Sequence, residues 1–257
     1  MVVSESLLGH LALLLISLVA NGLSAMAGGG AGLLQLPALI FLGLPFTLAL
    51  ATHKVASVAL GVGATIKHAR EGNTSLKFSG LMLVAGLPGV VVGANVVLAI
   101  SPLVAQISLG VLTAGLGIYS YFKPQLGQAQ SSKNRNLKGV LLGALGLFAI
   151  GFLNGSLTSG TGLFVTLWLI LWFGFDFKRA TAHTLIMVGL FWNGTGAVTL
   201  ATQTPVRWDW MPALLVGALT GGYLGALLAN KFGNPLIKRF FEAVTVSVGL
   251  LLIIDSF

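Results

Sequence analysis

Ten apolar segments, separated by short polar connections, occupy most of this 257-residue chain. A membrane-spanning helix needs about 20 apolar residues, so ten such helices would use roughly 200 residues and leave no room for a large domain in water. Charged residues make up only 8 % of the chain, whereas an ordinary globular protein has about 25 %. We therefore expect an all-α polytopic membrane protein embedded in a lipid bilayer.

The segments end at charges, prolines and glycine clusters. In the first half they are residues 7–27, 31–43, 45–66, 78–100 and 103–122, and in the second half they are residues 139–157, 162–175, 180–201, 211–229 and 240–254. Residues 123–138 form the one clear hydrophilic stretch. The sequence therefore predicts a first transmembrane repeat over residues 1–122, a linker over 123–138 and a second repeat over 139–257.

The loop charges indicate the orientation of the segments. If all ten alternate in direction, one side of the membrane receives twelve of the fourteen basic residues. These are Lys67, Arg70, Lys77, Lys123, Lys133, Arg135, Lys138, Lys178, Arg179, Lys231, Lys238 and Arg239. Because cytoplasmic loops carry an excess of Lys and Arg, we expect this side to be cytoplasmic and both termini to lie outside. Topology thus accounts for the net charge of +8, and no nucleic acid is expected as a partner.

Several chemistries lack the residues that they need. The chain has no cysteine, which excludes disulfides, thiolate metal sites and cysteine nucleophiles. Its acidic residues lie at or near segment ends, so a carboxylate proton relay and a carboxylate-lined cation site are both unsupported. Neither GxSxG nor the nucleotide-binding GxxxxGK[ST] occurs. We expect no enzyme activity, no metal and no cofactor.

The two halves of the chain resemble each other. A shift of 132 residues places Gly89 and Gly93 on Gly221 and Gly225, and apolar neighbours match as well. Since each half holds five segments, an odd number, the two copies must cross the membrane in opposite directions. The sequence therefore predicts two inverted repeats of about five segments each, which is the plan of many secondary transporters.

The second segment of each half is short and follows a glycine-rich turn, at residues 27–32 and 159–162. Glycine allows the backbone to leave the helix, and a helix that restarts there presents free N–H groups and a positive dipole end to an anion. Paired short segments are typical of a transporter's binding site. We leave open whether they span or re-enter the membrane. Close helix packing through small residues is the alternative interpretation.

These turns carry a resemblance to a known family. The run GGGAGLLQLP at residues 28–37, followed by ALATHK at 49–54, resembles the N-terminal signature of the TauE/SafE sulfite exporter family, also called the toluene-sulfonate uptake permease family. The GNTS stretch at 72–75 resembles a further family position. Residues 154–162 and KRATAHT at 178–184 resemble the repeated signature, without an unbroken glycine triplet. The resemblance implies a carrier of sulfite or small organosulfur anions in the bacterial plasma (inner) membrane.

Basic and polar side chains near the two turns are the candidate substrate ligands. His53 and His183 occupy nearly equivalent places in the two halves, and paired imidazoles can donate to an oxyanion. Lys54 has no obvious acidic partner inside its segment, so a substrate anion would offset its cost there. The predicted substrate-binding residues are Gly28, Gly29, Gly30, Gln35, His53, Lys54, Asn154, Ser159, Gly160, Thr161 and His183. The alternatives are histidines bonded to backbone carbonyls and a lysine that reaches the nearer interface.

Together these features predict a secondary transporter of a small sulfur-containing anion, either sulfite or an organosulfonate. Export is the favoured direction, and coupling to protons through the histidines is a further hypothesis. The alternatives are an anion channel and a membrane subunit of a larger complex, although the internal repeat favours a complete carrier. Assembly into a homo-oligomer is left open.

The orientation is testable because the chain has no cysteine. A Ser131→Cys variant, with the new thiol in the linker, should react with a membrane-impermeant thiol reagent only after cells are permeabilised, because the linker is expected to be cytoplasmic. A Thr204→Cys variant, on the opposite side, should react in intact cells. Gel-shift labelling measures both, and labelling of Ser131→Cys in intact cells would overturn the orientation.

Overall fold

The structure, a computed structural model, describes residues 7–68, 72, 74–96, 102–157 and 160–254. All regular elements in these ranges are helical. They are α1 (Leu7–Ala27), α2 (Ala31–Phe41), α3 (Phe46–His68), α4 (Leu76–Val96), α5 (Pro102–Tyr121), α6 (Leu137–Ser156), α7 (Thr161–Phe173), α8 (Phe177–Ile186), a π-helical turn (Met187–Trp192), α9 (Asn193–Ala201), a 3-10 turn (Trp208–Trp210), α10 (Met211–Phe232) and α11 (Asn234–Ile254). The predicted all-α class is confirmed.

Helix length separates spanning helices from short ones. Within the described ranges, six helical stretches are long and apolar enough to cross a membrane: α1, α3, α4, α6, the stretch Phe177–Ala201 and the stretch Trp208–Phe232. Helices α2 and α7 have 11 and 13 residues, so at ~1.5 Å per residue they extend only about 16 to 20 Å, against a hydrocarbon core of ~30 Å. The two predicted short segments are therefore too short to cross as straight helices.

The sequence placed Lys178 and Arg179 in a loop, and this boundary was wrong. Helix α8 already begins at Phe177, because the Asp176 side chain accepts the N–H group of Arg179 at 2.8 Å and caps the helix. An N-terminal cap of this kind satisfies an orphan donor of the first turn. The two basic residues therefore lie in the first turn of a helix.

The same correction applies to Lys238 in α11, which begins at Asn234. Lys238 is buried, donates to the backbone oxygen of Ser120 at 2.7 Å, and forms an ion pair with Glu242 one turn along the helix. A buried charge is tolerated when it is paired and hydrogen-bonded in this way. From the pattern of charges alone, such a residue is predicted to lie in a loop.

Glycines allow two pairs of helices to approach at backbone contact. Helix α10 packs along α1, and α4 packs along α6. A Cβ atom on Gly221 would overlap the backbone oxygen of Leu18, and one on Gly89 would overlap that of Phe148. Such small-residue contacts hold membrane helices together where no hydrophobic force drives their association. Because a shift of 132 residues relates Gly89 to Gly221, the two pairs pack in an equivalent way.

Other contacts also come in equivalent pairs. Helix α2 contacts α1 and α3, while α7 contacts α6 and α8, and α5 packs against α11. An internal two-fold relation between the halves would produce these pairings. The inverted repeat stays a prediction, which the pairings support. The tightest contacts join the first predicted repeat to the second, so the two repeats pack as one bundle.

Candidate anion cavity between two glycine turns

The two glycine turns meet at backbone contact. Gly28, Gly29 and Gly30 all have positive φ angles, of 88°, 127° and 95°. Gly30 precedes α2, and Gly160, with a φ of 73°, precedes α7 in the same left-handed conformation. A Cβ atom on Gly29 would lie only 2.7 Å from the carbonyl carbon of Gly162. A side chain at Gly29 would therefore force the two turns apart.

A small cavity of about 30 Å³ lies beside this contact. By the volume that an ordered water needs, it has room for about two water molecules. Its polar side chains come from α1, α3, α6, α7, α8 and α9, and they are Ser24, His53, Asn154, Thr161, Thr184 and Asn193. No acidic residue belongs to this described lining. The N-terminal residues of α2 and α7 also border the cavity, so both helices place their positive dipole ends there.

The predicted site residues divide into three groups. Those that line the cavity are Gly29, Gly30, His53, Asn154 and Thr161. Those that do not line it are Gly28, Gln35, Lys54, Gly160 and His183. Ser159 is outside the described residues. The described chain holds no group of three or more His, Asp or Glu side chains that would suit a metal ion.

Lys54 lies behind the wall, fully buried. Its Nζ atom donates to the backbone oxygen of Asn154 at 2.7 Å, to Oδ1 of Asn154 at 2.8 Å and to Oδ1 of Asn193 at 3.4 Å. Three acceptors match the three donors of an ammonium group. Among the residues that the structure describes, no carboxylate pairs with Lys54. Its charge is therefore balanced only by neutral dipoles.

The two asparagines carry this interaction to the cavity wall. Nδ2 of Asn154 donates to Oγ1 of Thr161 at 2.8 Å and to Oδ1 of Asn193 at 3.2 Å. Both asparagines and Thr161 line the cavity. Lys54 thus fixes the wall and supplies positive potential through it, whereas the sequence expected Lys54 to contact the substrate itself.

His53 is oriented by a chain of hydrogen bonds on its far side. Ser17 donates to the backbone oxygen of Leu214 at 2.6 Å, and Nε2 of Gln35 donates to Oγ of Ser17 at 3.0 Å. The Oε1 atom of Gln35 then accepts from Nδ1 of His53 at 2.8 Å. Since Gln35 is not part of the cavity lining, the opposite edge of the imidazole faces the cavity. In the neutral ring, that edge presents Nε2 as an acceptor.

Thr184 is the residue equivalent to His53, and the sequence analysis missed it. A shift of 131 residues relates Gln35 and His53 to Thr166 and Thr184, and these two threonines also bond to each other, at 2.8 Å between their hydroxyl oxygens. Thr166 also donates to the backbone oxygen of Gly28. Thr184, from the second half, and His53, from the first half, both line the cavity. The 131-residue shift between the two halves was the sequence signal that would have identified Thr184.

His183 does not line this cavity. Its Nδ1 donates to the backbone oxygen of Arg179 at 2.8 Å, and its Nε2 accepts the N–H group of Ser75 at 2.9 Å. Its equivalent in the first half is Thr52, whose hydroxyl accepts the N–H group of Arg207 at 3.0 Å. His183 therefore holds the backbone just before α4. Thr52 holds the backbone just before the 3-10 turn that leads into α10. The expected pair of histidines facing one anion is not brought together.

A polar cavity enclosed by helices of membrane-spanning length is typical of membrane transport proteins. A comparison with known families agrees with this class. The family model of the sulfite exporter TauE/SafE matches residues 13–252, which is nearly the whole chain. The chain therefore belongs to the sulfite exporter TauE/SafE family, and the resemblance carried by the glycine turns is confirmed.

Individual relatives are similar over their full length. A protein of Haemophilus influenzae described as a probable membrane transporter protein is 27 % identical over 241 residues, which cover 94 % of this chain and 93 % of that protein. The probable membrane transporter protein YfcA of Escherichia coli K12 is 29 % identical over 254 residues, covering 99 % and 92 %. YunE of Bacillus subtilis, described in the same words, is 23 % identical over 270 residues, covering 95 % and 97 %. No solved structure gives a significant match.

The contact between the turns predicts the effect of a single methyl group. A Gly29→Ala variant should lower substrate flux into proteoliposomes by roughly tenfold or more, because its Cβ would push against Gly162 and displace the cavity wall. Gly43→Ala is the matched control, since Gly43 also has a positive φ, of 96°, but its Cβ would have no atom within 4 Å.

Both variants carry the left-handed strain of about 1–2 kcal/mol, and Gly29→Ala should lower the Tm of the purified protein further than Gly43→Ala does, because only its Cβ overlaps a backbone. Only Gly29→Ala should lose flux. Equal flux in the two variants would mean that the Gly29 turn is a packing joint and not part of the transport site.

Proposed function

We propose that this member of the family is a secondary transporter of a small sulfur oxyanion, sulfite or a short organosulfonate, which binds in the cavity between the two glycine turns. The observation that carries the proposal is the burial of the Lys54 amino group, which has no carboxylate partner in the described structure. Burial of an uncompensated ammonium is costly. An anion in the adjacent cavity would offset that cost, and a cation would increase it.

The neutral lining supports an oxyanion in particular. The hydroxyl groups of Ser24 and Thr161 and the amide group of Asn193 can all donate to sulfonyl or sulfite oxygens. Two positive helix ends add to the attraction without the desolvation cost of a full charge. The family description, sulfite exporter, supports the sulfur chemistry and export as the direction.

The size of the cavity favours a carrier over the alternative, an anion channel. Room for about two water molecules is too small for sulfite together with its contacts, so the walls must move for the anion to bind. The π-helical turn supplies Val188 and Gly189 to the wall, and π-turns are frequent at functional sites inside helices. Gly189 packs so closely on Gly61 of α3 that its Cβ would lie 3.0 Å from the Gly61 Cα atom. Such a joint can change shape without breaking a spanning helix.

The hydrogen bonds of His53 support a link between anion and proton. In the neutral ring, the lone pair of Nε2 faces the cavity and would repel an oxyanion. Addition of a proton at Nε2 turns this edge into a donor and adds positive charge. The anion and one proton would therefore load together at His53. In this proposal the transporter lies in the bacterial inner membrane, with both termini outside and the two repeats joined by a cytoplasmic linker.

The proposal is tested by flux measurements on the purified chain in proteoliposomes. Uptake of ³⁵S-labelled sulfite or ethanesulfonate should saturate and show counterflow, as a carrier requires. Lys54→Gln should lose most of this flux, because the cavity loses its positive potential. Lys67→Gln, the same change near the end of the same helix, should keep it. Flux that does not saturate would indicate a channel, and transport of sodium or potassium in place of the anion would overturn the proposal.

A second experiment addresses the proton. His53→Gln keeps an amide group that can pair with Gln35 but cannot take up a proton. This variant should still move anion at equal pH and should lose its response to an imposed pH gradient. His10→Gln is the control and should keep the response, because His10 lies near the start of α1 and does not line the cavity. A pH-gradient response that survives in His53→Gln would remove His53 from the coupling.

A further inference from the structure

A second and larger cavity lies on the linker side of α8. Its volume is about 470 Å³, which falls within the range of about 300–1,000 Å³ that is typical of small-molecule pockets. The described lining comes from residues 72 and 74–78, the linker, Val140 of α6, Phe175 and the first two turns of α8. His183 lines this cavity and Thr184 lines the smaller one, so helix α8 separates the two.

The charges around this larger cavity are positive. Lys77, Arg135 and Arg179 belong to its described lining, which includes no carboxylate. Arg179 is partly offset by Asp176, with 3.9 Å between Nε and Oδ2, and it also bonds to Gln130. Lys77 and Arg135 have no ion pair among the described residues. An anion in this cavity would meet two uncompensated cations.

Arg135 is held in a fixed position with one buried donor unused. Its guanidinium lies 4.2 Å from the ring centre of Phe78 and 5.2 Å from that of Phe175. One terminal nitrogen donates to the backbone oxygen of Phe173 at 2.8 Å. Its Nε atom is buried and has no hydrogen-bond acceptor in the described part of the chain. The guanidinium is thus held by aromatic rings and one neutral oxygen, and an oxyanion in the cavity is the partner that best complements its charge.

The remaining lining suits an anion with a small organic part. Thr74, Ser75 and Ser132 offer hydroxyl or backbone donors, while Phe78 and Phe175 offer apolar surface. We propose that this cavity is a second anion site, in which Arg135 and Lys77 hold the sulfonate group of a small organosulfonate while its carbon atoms pack on Phe175. The site would load the transported anion from the linker side, and in naming that anion the inference rests on the proposed function.

The test counts binding sites on the purified full-length chain in nanodiscs of zwitterionic lipid. Equilibrium binding of ³⁵S-labelled ethanesulfonate should give two sites per wild-type chain. Arg135→Gln should leave one. Lys133→Gln is the matched control, since this linker lysine is exposed and does not line the cavity, and it should leave two. A single wild-type site that Arg135→Gln leaves unchanged, two sites in Arg135→Gln, or an equal loss in Lys133→Gln would overturn the inference.

A double variant covers the case in which Arg135→Gln does not fold. Lys77→Gln combined with Arg179→Gln keeps the bond of Arg135 to Phe173 and should weaken the second site by roughly tenfold. Unchanged affinity in the double variant would overturn the inference.

A further experiment repeats the binding measurement in nanodiscs that contain phosphatidylglycerol. If that lipid displaces ethanesulfonate from the second site, the cavity takes a lipid headgroup and the sulfonate assignment is wrong.

The two proposals fail in different ways. If proteoliposomes move neither sulfite nor ethanesulfonate while the Arg135-dependent site still binds ethanesulfonate, the transport function fails and the second site stands. If flux saturates as proposed but the wild-type chain binds only one anion, at a site that Arg135→Gln leaves unchanged, the second site fails and the transport function stands.

Discussion

The backbone contact between the turn at Gly29 and the turn at Gly162 is the constraint on which the rest of the site depends. Membrane helices must satisfy their own backbone polar groups, so a break inside the bundle is tolerated only against protein or a wet cavity. Here two breaks lie against each other, and each restarts as a short helix. The result is a polar cavity with two helix N-termini, enclosed by helices long enough to span a membrane.

Lys54 makes the electrostatic potential in this cavity positive. A buried ammonium with amide and carbonyl partners is hydrogen-bonded but not neutralised, and its potential extends across Asn154 and Asn193 into the cavity. The described wall carries no permanent charge, which avoids placing a second fixed, desolvated charge against the substrate. Arg135 has a similar arrangement at the larger cavity. Aromatic rings and one backbone oxygen hold its guanidinium group, and no described carboxylate pairs with it. In both places a cation is fixed in position without a carboxylate partner among the described residues.

The equivalent positions of the two halves share geometry but differ in chemistry. Gln35 with His53 corresponds to Thr166 with Thr184, so one wall of the cavity carries an imidazole and the opposite wall a hydroxyl group. At the neighbouring pair of positions the difference is reversed, because His183 takes the tethering role that Thr52 has in the first half. An internal repeat preserves the backbone contacts, since glycines and helix packing determine them. It leaves the side chains free to diverge.

Much of this protein was determined by its sequence alone. Apolar segments long enough to span a membrane, the two glycine turns, the short helices and the lack of carboxylates inside the spans all follow from local composition and spacing. Tertiary structure decided which side chains reach the cavity. Adjacent residues on a helix point about 100° apart, so His183 and Thr184 face different cavities although they are neighbours in the chain. Lys54 was correctly expected in the interior, but its contacts with Asn154 and Asn193 join residues far apart in sequence, and only packing of the two halves could bring them together.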